Sequence, residues 1–350
     1  MDFNWRRENI MKRMMRKMIA LFMVTVLLAG CSSGGGTSSE EATTAAERES
    51  GVAENTVATD TAEESSDEPL KLGISLQNMT NMFFIQIKDK IEASMGPNDE
   101  VIITDANGDQ NKQLNDVSDM LNSGCNVIGI CPINSEGVRA TLEMCQEAGV
   151  PVICFSNRAA DSIDHLVSCT VVSDNEECGR LCARALGEAL NGEGKVVEIT
   201  FSTTTASYLR QQGFEDEIAT KYPGIEILQW KDMEKATADY SQPIMVDFIN
   251  SYPDLDGVFT ICDPAARGII AALKEADMLD DVQVVSVDGS IEGKEFIRNG
   301  EMLASAAQKP DLIGETVAEM AYKLLRGEEV QKDIIIPVEI IDSTNVDSAE

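Results

Sequence analysis

Residues 127–158, VIGICPINSEGVRATLEMCQEAGVPVICFSNR, hold the repeating unit of the fold in one pass. The run 127–131 is short, apolar and β-branched, 138–148 reads as a helix, and 152–155 is a second short apolar run. Strand, helix and strand within about thirty residues make a βαβ unit, whose two strands lie parallel. The unit ends on Asn157 and Arg158, polar side chains just past the end of a strand. In open parallel sheets that is where ligands bind.

The same alternation extends in both directions. Before this stretch come strands over 71–76 and 101–104 and helices over 83–94 and 113–122; the first helix spaces Phe84, Ile87, Lys88 and Ile91 by three or four. A strand over 165–172 closes the first half. The second half predicts helix 176–190, strand 196–201, helix 208–221, strand 225–229 and a helix ending near Asn250. It continues through strand 257–260, helix 265–276, strand 282–287, helix 292–299 and strand 303–306. A long helix, 312–325, and a last strand, 334–341, are left over. The spacing therefore predicts an α/β protein of two similar lobes with parallel-sheet cores, the chain crossing between them more than once. The expected lobes are 69–173 plus 309–337 and 174–308 plus 338–350.

The first 68 residues read differently. Arg and Lys precede an apolar stretch over 18–29 that is too short to span a bilayer of roughly 30 Å, and Leu28-Ala-Gly-Cys31 follows. This predicts a secretion signal over 1–30 with Cys31 as a lipidation site. Residues 31–68 are mostly Ser, Thr, Gly, Ala and Glu, with almost no large apolar residue and ten acidic residues against the single Arg48. Such a segment buries too little apolar surface to offset its ordering entropy, so it is expected to be a disordered acidic tether.

Charge and cysteine narrow the function. A formal net charge of −32 repels phosphate backbones and argues against nucleic acid as a partner. Besides Cys31 there are Cys125, Cys131, Cys145, Cys154, Cys169, Cys178, Cys182 and Cys262. An even number in an exported chain permits disulfides, while their place in apolar runs suits free thiols packed as small hydrophobes. With no Cys-x-x-Cys and His165 as the sole histidine, no metal is expected. His165 is placed inside an apolar strand, as a satisfied, partly buried imidazole. Residues 105–111, DANGDQN, imitate a calcium loop but set Gln110 where glycine is needed; a turn before a helix is the expectation. No catalytic motif is visible, so no enzyme is expected.

The strand ends carry the function. They are followed by Asn81, Phe83 and Phe84, by Asn157 and Arg158, by Arg210, by Asp263, by Asp288 and by Gln308. Arg and carboxylate groups hold neighbouring hydroxyls, and aromatic faces cover the C–H surface of a sugar ring. This inventory suits a small neutral polyol.

Over residues 70–341 the chain resembles a type I periplasmic-type solute-binding protein of the ribose/galactose group, in lipoprotein form. The markers are Asn81-Met-Phe-Phe84, Gly149-Val-Pro-Val-Ile153 with Asn157-Arg158, and Ser173-Asp174-Asn175. They continue with Arg210-Gln-Gln-Gly213-Phe214, Val285-Ser-Val-Asp288-Gly289 and Ala307-Gln308-Lys-Pro310. The resemblance implies two Rossmann-like lobes joined by a multi-strand hinge near Ser173, Gln308 and Pro337. Phe83 and Phe84 would stack on the ring, while Asn81, Arg158, Arg210, Asp288 and Gln308 would bond its hydroxyls. It implies a monosaccharide or polyol ligand, an ABC permease in the membrane as partner, an extracytoplasmic monomer held by a lipid anchor, and no cofactor. There are departures from the pattern. Ser156 stands at the expected carboxylate or amide position with Asn157 next, Cys262-Asp263 replaces an Asn-Asp pair, and the usual aromatic near Trp230 falls to Trp230 or Met233. Two other functions share these lobes. A sensory receptor would present its closed form to a membrane kinase or chemoreceptor, and a transcription repressor would need a DNA-reading helix pair before Leu70 that the sequence does not show.

Overall fold

A computed structural model describes residues 68–349. The expected signal peptide, Cys31 and, apart from Glu68, the tether lie outside the described residues.

The first half runs β1 (Lys71–Leu76), α1 (Met82–Ala93), β2 (Glu100–Asp105), α2 (Gln110–Asn122), β3 (Val127–Ile130), α3 (Arg139–Glu147), β4 (Val152–Phe155) and β5 (Cys169–Ser173). The second half runs α4 (Asn175–Ala189), β6 (Glu193–Thr200), α5 (Thr205–Lys221), β7 (Gly224–Asp232), α6 (Ala238–Ser251), β8 (Gly257–Thr260), α7 (Asp263–Glu275), β9 (Gln283–Asp288), α8 (Ile291–Arg298) and β10 (Ala304–Ala307). Last come α9 (Pro310–Leu325), β11 (Asp333–Ile336) and β12 (Glu339–Asp342).

Two six-stranded sheets result, ordered β11-β5-β4-β3-β1-β2 and β12-β10-β9-β8-β6-β7. Every pairing is parallel except β10 with β12. Parallel sheets need both faces covered, and both are. On the first sheet Leu72, Ile74, Leu76 and Phe155 pack under α1 and α9, while Ile128, Ile130 and Cys154 meet Val117, Met120 and Leu142 on the other face. The second core includes Phe214 stacked on Phe259, with ring centroids 4.4 Å apart. The chain passes between sheets after β5, after β10 and between β11 and β12.

The structure departs from the sequence expectation at the last strand and around His165. The last strand is two strands in different sheets, broken at Pro337, which lacks the N–H a continuous ladder requires. Residues 164–166 form a 3₁₀ turn rather than strand, and His165 is exposed rather than partly buried. The calcium-like loop is spent on its own backbone: Asp105 accepts from Asn107 N–H at 2.7 Å, and Asp109 caps α2 through Asn111 and Lys112 N–H.

All eight cysteines in the described residues are free and buried. Desolvation drives their thiols up, Cys131, Cys154 and Cys178 to about 12, so they pack as apolar groups and are poor nucleophiles. Among the described residues no cluster of three or more His, Cys, Asp or Glu could hold a metal, and no helix is long and apolar enough to cross a membrane.

Candidate functional site

The carboxyl ends of both sheets open into one cleft with a cavity of about 660 Å³. Asn81, Phe83, Phe84 and Asn157 line it from the first sheet, and Arg210, Asp288 and Gln308 from the second sheet and its helices.

On the first side, Asn81 caps α1: its Oδ1 accepts from Phe83 N–H at 2.9 Å, which leaves the amide Nδ2 for the cleft. The cap places Phe83 and Phe84 in the first helical turn, edge to face at 5.3 Å and 73°, each buried at its base and presented to the cavity. After β4 the chain makes a tight γ-turn: Asn157 N–H bonds Phe155 C=O at 2.7 Å, and Ser156 adopts φ 62°. Positive φ in a non-glycine residue costs of order 1–3 kcal/mol and gathers at binding sites. Here it turns both Ser156 and Asn157 into the cleft. Asn157 Nδ2 donates to Pro132 C=O at 3.1 Å, so Oδ1 is its remaining acceptor.

Arg210 reaches the cleft because α4 and α5 touch backbone to backbone. A Cβ on Gly179 would lie 1.9 Å from Arg210 C=O, and one on Gly213 would lie 2.0 Å from Glu176 C=O. Only glycine admits that approach. Arg210 is 6 % exposed; its Nε donates to Asn175 Oδ1 at 2.8 Å and Nη1 to Ile261 C=O at 2.8 Å. Nη2 has no partner among the described residues.

Asp288 ends β9 with φ 134°, a second strained residue at the cleft. Its Oδ1 accepts from Gln308 Nε2 at 2.8 Å and lies 3.9 Å from Arg210 Nη1. Its Oδ2 is buried without a partner. Burial first, then the neighbouring Asp263 charge, push the Asp288 carboxyl up to about 7 against the pull of Arg210 and Gln308. Gln308 is itself oriented by Ser173, whose hydroxyl donates to Oε1 at 2.7 Å. Thus Asn81 and Arg210 offer donors, and Asn157 and Asp288 offer acceptors, to one small space between ring faces.

Two residues expected at the site stand outside the cleft lining. Arg158 turns to the surface and pairs with Asp333 at 2.9 Å, because the γ-turn aims its neighbour Asn157 inward instead. Asp263 is fully buried and accepts from Ser290 N–H, Ser290 Oγ and Ser305 Oγ at 2.7–2.8 Å. It holds the turn that follows Asp288. The structure also adds lining residues that the sequence expectation lacks: Gln77, Asn107, Ile133 and Phe201. Neither Trp230 nor Met233 lines the cleft; the aromatic ring from the second lobe is Phe201, one residue past β6.

The fold and cleft have counterparts among known proteins. The ribose import binding protein RbsB of Bacillus subtilis is 28% identical over 274 residues, covering 77% of this chain and 86% of that protein. An ABC transporter solute-binding protein of Mycobacterium smegmatis, solved with bound glycerol, is 28% identical, with a TM-score of 0.73 over 80% of this chain and 96% of that one. One from Bacillus halodurans, solved with bound myo-inositol, is 25% identical, with a TM-score of 0.73 over 79% of this chain and 96% of that one. The periplasmic binding protein domain matches residues 72–329. With two parallel-sheet lobes closing one polar and aromatic cleft, this chain belongs to the periplasmic binding protein domain family.

Proposed function

We propose that this protein captures one neutral monosaccharide or related polyol between its lobes and delivers it to an ABC permease. The observation that carries the reading is the set of unspent groups in the cleft. The Asn81 amide, Arg210 Nη2, Asn157 Oδ1 and buried Asp288 Oδ2 match the alternating donors and acceptors of adjacent hydroxyls, beside the Phe83 and Phe84 rings. The relatives named for ribose import or solved with glycerol and myo-inositol support that ligand class.

The mechanism is hinge closure. Residues 69–173 with 309–337 move as one lobe and 174–308 with 338–350 as the other, about Ser173, Gln308 and Pro337. Because each lobe holds part of the ligand shell, ligand binds the closed state better and draws the population to it. The closed pair of lobes is what the permease meets. The protein acts as an extracytoplasmic monomer, and a lipid on Cys31, with the acidic tether beyond it, keeps it beside its membrane partner.

A thermal-shift screen of pentoses, hexoses, inositols and short polyols tests this reading. A ligand at a hundred times its Kd raises stability by about 2.7 kcal/mol. Failure of every sugar and polyol, with amino acids or peptides shifting the melt, would rule it out.

A further inference from the structure

The second sheet presents its strand ends to the cleft in the order β10, β9, β8, β6, β7, and their chemistry grades along that row. Gln308 and Asp288 stand at β10 and β9; Cys262 follows β8, Phe201 follows β6, and Ala236 lies beyond β7. From the first lobe Ile133, past the end of β3, adds an apolar side chain to the cleft lining. Two buried hydroxyls of the second lobe, those of Thr204 and Ser207, bond each other beside the cleft. Thr204 Oγ1 donates to Ser207 Oγ at 3.0 Å and caps α5. The charges beyond it belong to the exposed rim, where Arg267 pairs with Glu292 at 2.6 Å and Glu234 and Lys235 face solvent. Cys262 is a poor substitute for an amide: its thiol is buried, desolvation raises its pKa, and its contact with Ala236 C=O is long, 3.8 Å.

The side chains of Ile133, Phe201, Ala236 and Cys262 offer a ligand hydroxyl no strong hydrogen-bond partner. A methyl group there gains burial instead. Resting on the sugar and polyol reading above, we infer that the ligand carries an apolar edge, a deoxy carbon or a methyl substituent, against this wall, with its hydroxyls turned to Asn157, Arg210 and Asp288.

The test is a calorimetric comparison of matched pairs: D-fucose with D-galactose, L-rhamnose with L-mannose, 5-deoxy-D-ribose with D-ribose, and an O-methyl-inositol with myo-inositol. Among pairs that bind, the deoxy or methylated member is expected to bind about tenfold tighter or more, the scale on which one group in an apolar pocket discriminates. Ala236→Ser, a small change in a loop, and Cys262→Asn should each narrow or reverse that ratio, with the melting point of the ligand-free variant reporting the fold. Equal or tighter binding of the hydroxylated member in every binding pair overturns the inference while leaving the polyol reading standing. So does a ratio that neither variant moves. Silence from both members of all pairs overturns the inference, while the polyol reading is decided by the wider thermal-shift screen.

Discussion

Replacing Asp288 with Asn should stabilise this protein while weakening its binding. Asp288 is 6 % exposed, and its carboxyl is raised from 3.8 to about 7 in the folded chain. At 1.36 kcal/mol for each pH unit, the ionised form costs the fold roughly 4 kcal/mol, with the attraction of Arg210 already included. The sign follows from the direction. A carboxyl raised on folding holds its proton longer in the native state, so the cost is absent below pH 3.8, grows as pH rises to about 7, and is constant above. Asparagine keeps an oxygen for Gln308 Nε2 and tolerates positive φ better than most residues. Asp288→Asn should therefore melt above the parent at pH 8, on the order of 10 °C at 2–4 °C per kcal/mol. The difference should shrink as pH falls and vanish near pH 4. Differential scanning calorimetry at pH 4, 6 and 8 reads all three. Ligand affinity should fall tenfold to a hundredfold, roughly the worth of a hydrogen bond to a charged acceptor. Equal melting at pH 8 and pH 4, or a variant less stable at pH 8, would refute the buried-charge reasoning.

Three further outcomes are expected. In the parent protein, affinity should drop as pH is lowered from 8 to 5.5, because a protonated Asp288 cannot accept through both oxygens; flat affinity across that range in calorimetric titrations would contradict it. Gly213→Ala puts a methyl group against Glu176 C=O, so α5 must shift: a loss of about 1–3 kcal/mol in denaturant unfolding should accompany weaker binding, since Arg210 sits one turn earlier. Ser135→Ala removes bonds that cross the cleft, with Thr205 N–H at 3.0 Å and Thr205 Oγ1 at 2.8 Å both donating to Ser135 Oγ. Affinity should fall severalfold, about 1 kcal/mol, although Ser135 is not among the cleft-lining residues; small-angle scattering should show a more open average shape.

Strands were the most legible part of this fold. Those at 71–76, 152–155 and 257–260 fall where the apolar runs predict, since buried parallel strands are continuous apolar segments between turns. Helix starts were less visible. α2 and α5 each begin three residues before the predicted point, because their first turns carry no large aliphatic residue to mark them and start from the caps Asp109 and Thr204. At the cleft, position just past a strand end, together with the family resemblance, pointed to Asn81, Phe83, Phe84, Asn157, Arg210, Asp288 and Gln308, all of which line it. Arg158 and Asp263 are strand-end residues too, yet their directions depend on a γ-turn at Ser156 and on Ser305, a partner in a different strand. Neither is encoded in local spacing. Phe201 was hidden for a simpler reason: it prolongs an apolar run that the sheet leaves at Thr200.

The central claim is that both lobes hold one neutral polyol in the cleft. Calorimetric titration of the parent, Phe84→Ala and Arg210→Ala with the sugar or polyol that most stabilises the protein tests it most directly. One site per chain is predicted in the parent, with affinity down at least a hundredfold in each variant, because Phe84 belongs to the first lobe and Arg210 to the second. Parent-like binding in either variant, with its fold intact, would contradict a ligand shared between lobes.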